Sequence, residues 1–293
     1  MSTPVLPSGA PFIPSNAYLR AALAEIPDYG RLTALRAKLI DCQVALMPPA
    51  VPTPPHTADD DIEGWLTQVN EHAGARRAWQ EHFDALTAQV QHANALLANI
   101  PAAHSEALLT HLGHELTALM AETATVTDQL KGARTAAEAI VKGVADSWQQ
   151  LGPLRQSYDV LREAQSQLMA RIADPTILAN GTSPYLADEL ASDLMIANLD
   201  QVLPGWRAPQ TGAIRMQGPD PDRRPWPADP IGQLVWLVVS DARPWIPTIT
   251  ELQKLWTARK NLIDPTPPAS RVVRVHDREP GSSFYAVPIH AYD

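Results

Sequence analysis

Apolar residues recur along the middle of this chain at alternating steps of three and four, and the strip they draw is longest over residues 109–172. Its positions are Leu109, Leu112, Leu116, Leu119, Thr123, Val126, Leu130, Ala133, Ala137, Ile140, Val144, Ser147, Leu151, Leu154, Tyr158, Leu161, Gln165, Leu168 and Ile172. Only Thr123, Ser147 and Gln165 interrupt the row. A strip held at that spacing predicts a helix packed along its length against other helices in coiled-coil fashion. A second strip, Ile62, Trp65, Val69, His72, Arg76, Trp79, Phe83, Leu86, Val90, Ala93, Leu97 and Ile100, predicts a helix of about 40 residues, roughly 60 Å long. Asp59, Asp60 and Asp61 suit its positive end, and Asn99-Ile100-Pro101 is expected to stop it.

So few residues separate the two strips that the helices are expected to reverse into a long antiparallel hairpin. Taken as one helix, residues 102–173 would be about 105 Å long and overrun the first arm by about 45 Å. Gly152-Pro153 is expected to kink it near where the cover ends. A helix over 183–203, with Pro184 in its first turn and Leu186, Leu190, Leu194 and Ala197 on one face, is the predicted cover of residues 154–173, with the N-terminal helical pair as a further candidate beside it. A second copy of the chain is the alternative.

Proline divides the chain. Ten of the 28 prolines fall in residues 1–58 and fourteen in 204–293, leaving four for the helical body between. Residues 1–14 read as an extended Pro-rich arm with Phe12 and Ile13 as anchors. Residues 15–46 read as an N-terminal helical pair, capped by Ser15 or Asn16 and then by Asp28, with Leu32, Leu35, Leu39, Cys42 and Leu46 on one face. Residues 47–58 are a stiff Pro-rich linker, and 59–203 the long helical hairpin or bundle. Residues 204–293 form a Trp/Pro-rich module that is expected to be α+β. In it, 234–239 is a buried strand or short helix, Thr248 caps a helix to Ile263, and a β-hairpin spans 271–290. The fold class is mainly α, a coiled-coil helical hairpin with a small α+β C-terminal module.

The net charge of −9 is unevenly spread, and this removes some partners. Residues 59–101 carry seven acidic and two basic groups, 174–203 five acidic and none basic, and 204–293 eleven basic and nine acidic. An acidic helical body is a poor match for nucleic acid or an anionic membrane. The longest uncharged apolar run, 231–240, is too short to span a bilayer. No basic start or apolar leader opens the chain, which predicts cytoplasmic synthesis without a signal peptide, open to incorporation into a larger particle. The one cysteine, Cys42, excludes an internal disulfide and sits where a small core residue is expected.

Chemistry is sparse. His104, His111, His114 and Glu115 have the flavour of metal ligands at a spacing that fits no zinc motif, so no metal or cofactor is expected. His72 and Arg76 occupy core-register positions, where polar residues more often fix partner or register than bind a ligand. Asp241, His276, Asp277, His290 and Ser282-Ser283 are hydrolase residue types without a serine elbow, phosphate loop or dinucleotide fingerprint. The repeated Arg-Pro-Trp of Arg224-Pro225-Trp226 and Arg243-Pro244-Trp245, with Trp206, suggests either an aromatic interaction surface or tryptophans plugging a small core. The residue pattern favours the second, yet these residues, Phe12 and Ile13 are the interaction candidates. The expected function is a non-enzymatic structural or assembly protein, with protein partners or self-association, of the kind found in virions or secretion machines. The alternative is an enzyme with its active site in 204–293 and the helices as an oligomerisation arm.

Overall fold

The strip predicted over 109–172 is buried almost position for position, but on two helices rather than one. The computed structural model describes residues 10–57, 61–173, 190–204 and 224–263. In these, α1 is Ala17–Ala24, α2 Pro27–Ala45, α3 Ile62–Ala103, α4 Ser105–Asp128, α5 Ala136–Val141 and α6 Ala145–Ile172. Farther on, α7 is Leu199–Val202, α8 Pro230–Val239 and α9 Ile249–Ile263. The protein is mainly helical, and the described residues hold no strand, only an isolated antiparallel bridge between Ile196 and Pro244. The chain divides into two units, residues 1–254 and 255–293, and the described part of the second is the remainder of α9.

The long helix is interrupted at 129–144. Lys131 and Gly132 take positive φ, 52° and 74°, which turns the chain out of α4. After the short α5, Gly143 at φ 66° closes a Schellman motif: its N–H donates to Ile140 O at 3.1 Å and that of Val144 to Ala139 O at 2.8 Å. The chain therefore reverses, and α6 packs back along α4, with Ser147 Oγ donating to Gln129 Oε1 at 3.3 Å where the two helices meet. Leu109, Leu112, Leu116, Leu119, Thr123 and Val126 of α4 are buried, as are Leu151, Leu154, Tyr158, Leu161, Gln165 and Leu168 of α6. The two halves of one strip thus cover each other. Within the interruption, Ile140 stands 69% exposed, because α5 follows the turn and not the heptad. Pro153 sits inside α6 without ending it.

Pairing among the other helices differs from the expected hairpin. His104 is the single residue between α3 and α4, with φ −118° and ψ 21°, and backbone bonds bracket it on both sides, from His104 N–H to Ile100 O and from Leu108 N–H to His104 O. That residue departs from helical geometry, yet α3 touches α4 only lightly and runs along α2 instead. Pro101 lies inside the last turn of α3, which continues to Ala103. The N-terminal pair is helical as expected. Asn16 caps α1 by accepting from Tyr18 and Leu19 N–H, but α2 begins at Pro27 and places Asp28 in its first turn instead of at the cap.

The apolar run at 234–239 lies on helix α8, capped by Asp229, which packs against α4 and α6. Thr248 and Glu251 form a reciprocal capping box at the start of α9, through Thr248 N–H to Glu251 Oε2 at 2.8 Å and Glu251 N–H to Thr248 Oγ1 at 3.2 Å. Of the predicted 183–203 helix, residues 183–189 lie outside the described residues, 190–198 are turns, a bend and bridge positions, and among the described residues α7 is the helical part. The hairpin predicted over 271–290 lies outside the described residues.

Candidate functional site

Two places gather residues that sequence patterning marked for interaction, and they differ in kind. The first is the Arg-Pro-Trp region. Trp245 is half-buried, with its indole N–H donating to Asp193 O at 2.7 Å and its backbone N–H to Met195 O at 3.1 Å, while Ala197 N–H donates to Arg243 O at 2.9 Å. Trp226 is buried and meets Trp236 edge-on at 5.5 Å. These two tryptophans hold loops onto the helices. Arg224 is half-buried, Arg243 exposed, and Trp206 lies outside the described residues. Phe12 is buried beneath Arg171, 5.5 Å from its ring centre, while its neighbour Ile13 is exposed.

Beneath Trp245 lies a residue whose role the sequence did not signal. Arg162, on the buried face of α6, donates to Trp245 O at 2.7 Å, Gln165 Oε1 at 2.8 Å and Met195 O at 3.3 Å, and stacks on the Tyr158 ring at 4.9 Å. Among the described residues no carboxylate pairs with it, so backbone carbonyls solvate the guanidinium. Gln165 passes the tie on, donating to Leu194 O at 2.9 Å. The one sequence signal was Gln165 itself, a polar break in an apolar row.

Both Arg-Pro-Trp segments border a cleft of about 600 Å³, whose lining includes Pro225, Trp236, Asp241, Arg243 and Gln201. Asn198 holds its rim, accepting from Arg243 N–H at 2.9 Å and donating to Asp241 O at 2.8 Å. Ser240 also lines it, beside Asp241, and no histidine or cysteine does among the described residues.

The second place is the α2–α3 hairpin. Arg36 Nε donates to Asn94 Oδ1 at 2.7 Å and Gln43 Nε2 to Thr87 Oγ1 at 2.9 Å, so the helices run antiparallel. Past the end of α2, Trp79 Nε1 donates to Leu46 O at 3.1 Å, and from there the chain must return to the start of α3 at Ile62. Leu46, Pro49, Pro52 and Pro55 are half-covered while the two residues after each are exposed. That three-residue period is the repeat of polyproline II, and 11 residues at 3.1 Å reach about 34 Å, enough to travel the roughly 26 Å of α3 from Trp79 to Ile62. The Pro-rich linker therefore has the length and the period of a polyproline strut between α2 and α3.

From Pro27 to His92 no described residue is buried. Val44, Met47 and Val51 are 74–78% exposed, and Ile62 and Leu66 about half. Cys42, expected in a core, is exposed and free, because it lies on the flank of α2 that α3 does not cover. Trp79 stacks on Phe83 at 5.4 Å. The shielded Trp65 Nε1 and His72 Nε2 have no hydrogen-bond partner among the described residues, a cost that a closed core normally avoids. Arg76 is exposed. The histidines of the other cluster are dispersed: His104 is the α3–α4 junction, His111 Nδ1 meets Glu25 Oε1 at 3.1 Å and so ties α4 to α1, and His114 is exposed. Among the described residues no three His, Cys, Asp or Glu side chains gather as metal ligands, and no helix is long and apolar enough to cross a membrane. His276, Asp277, Ser282, Ser283 and His290 lie outside the described residues.

Comparison with known proteins finds no family that matches the chain, and no significant match among curated proteins or solved structures.

Proposed function

We propose that this chain is a non-enzymatic structural or assembly protein whose α2–strut–α3 hairpin is an arm for a protein partner, as in the multi-subunit machinery of a virion or secretion system. One observation carries the reading: between Pro27 and His92 a helical hairpin forms without a single buried residue among those described. Helices draw most of their stability from tertiary packing of an apolar face, and two helices with a strut cannot supply a closed core. Such an arm is completed by another chain. The α4–α6 strip, in contrast, is closed within one chain, so it is the arm that calls for a partner.

Backbone hydrogen exchange on the dilute, purified protein tests this. Amides of α2 and of residues 62–92 are expected to exchange far faster than those of α4 and α6. An arm protected as strongly as α4 and α6 in a lone chain would need no partner, and the reading would fall.

A further inference from the structure

We propose that the partner of the arm is a second copy of this chain, with the two α2–α3 hairpins closing face to face so that each α2 lies across the other's α3. This inference rests on the assembly reading and names its partner. At 100° per residue, Leu32, Leu35, Leu39, Cys42 and Leu46 form one apolar stripe on α2, whereas Arg36 and Gln43, which bond to α3, point roughly 70° away from its centre. α3 therefore covers one edge of the stripe. Its remainder is open, with Leu35 47% exposed and Cys42 exposed.

Charge selects the occupant. Arg31 and Lys38 flank the open edge of the stripe, and α2 carries three basic against two acidic residues, a net charge of +1, with Arg31 and Asp28 paired at 3.0 Å and Arg36 turned toward α3. Residues 61–92 carry Asp61, Glu63, Glu71, Glu81 and Asp84 against Arg76 and Arg77. Crossing α2 onto the partner's α3 sets a basic edge on an acidic helix, and a two-fold axis repeats that match. Setting α2 on α2 would bring basic edges together.

The area is adequate for a weak pair. A face as long as α2, about 28 Å, and two helices wide, about 20 Å, buries roughly 1,100 Å² over both copies, close to the lower bound for specific interfaces. The contact is accordingly concentration-dependent.

The single cysteine lies in this contact and serves as its reporter. The test is light scattering of the full chain over about a hundredfold dilution, with maleimide labelling of Cys42 at each concentration. The expected result is a mass falling from two chains to one, labelling at least about tenfold faster in the dilute form, and a single-chain mass throughout for Leu35→Lys and for Cys42→Arg. Val141→Lys, on the exposed α5, should dimerise like the parent. Far-UV circular dichroism checks that each variant folds, and the two arm variants guard against misfolding of either one. A chain that is single at every concentration, with its arm exchanging freely, overturns the second copy and leaves the assembly reading standing. A single chain with a fully protected arm overturns both. A dimer indifferent to Leu35→Lys and Cys42→Arg, with labelling independent of concentration, places the contact elsewhere and overturns the proposal.

Discussion

Arg162 is the residue on which the loops of the second half depend. Its guanidinium satisfies carbonyls from two segments distant in sequence, at Met195 and Trp245, and truncating it would take from Trp245 O its side-chain donor and leave Met195 O with only the Trp245 N–H. Arg162→Ala is expected to lower stability by about 3 kcal/mol in urea unfolding. Arg162→Lys should recover little, since an ammonium cannot span the same acceptors. Tyr29 makes a finer test. Partial burial raises the pKa of its phenol above the ordinary value, partly offset by the Thr33 hydroxyl. A raised folded-state pKa means that its stabilising contribution is complete below the unfolded value of about 10 and is lost as pH rises through the folded one. The urea midpoint should therefore fall more steeply above pH of about 10 in the parent than in Tyr29→Phe. Little of this residue-scale detail was legible in the sequence. A buried arginine solvated by carbonyls is made by loops that meet only in the fold, and nothing in local spacing announces them.

At the scale of elements, periodicity fixed burial better than it fixed continuity. Every strip position from Leu109 to Ala133 is buried, because which side chains face inward depends on spacing alone. Where a helix breaks depends on a few backbone angles. The break at Gly143 was signalled only by the glycine, inside a register that carried on through it. Gly143→Ala is expected to cost about 1 kcal/mol, measured by thermal unfolding, because φ 66° disfavours any Cβ. Lys131→Gly, at φ 52°, should stabilise by a few tenths to about 1 kcal/mol. Pro101 misled in the opposite sense: expected to stop α3, it sits inside the last turn, while α6 continues through Pro153. The pairing of α3 with α2 was likewise hidden: the one-residue connection at His104 reads as a reversal, and nothing in local spacing names α2 as the helix that α3 runs along.

For the whole molecule, the decisive contrast lies between an arm with no buried residue among those described and a body whose α4–α6 seam is sealed. Fully buried Leu161 and Leu112 each lose a packed environment when shortened, so Leu161→Ala should cost about 2–5 kcal/mol. Leu39→Ala, on the half-covered face of the arm, should cost about 1 kcal/mol or less in the dilute chain. A difference of that size makes unfolding non-uniform. Urea titration at low concentration should first melt α2 and much of α3, seen as early loss of far-UV dichroism. Fluorescence from a variant retaining only the body tryptophans, with Trp65→Phe and Trp79→Phe, should change later. If the arm is completed by another copy, raising the protein concentration should draw the early transition toward the late one, since a partner that binds only the folded arm stabilises it by mass action. Coincident transitions in the dilute chain would mean that arm and body fold as one cooperative unit, and the division of labour between a sealed body and an unfinished arm would have to be given up.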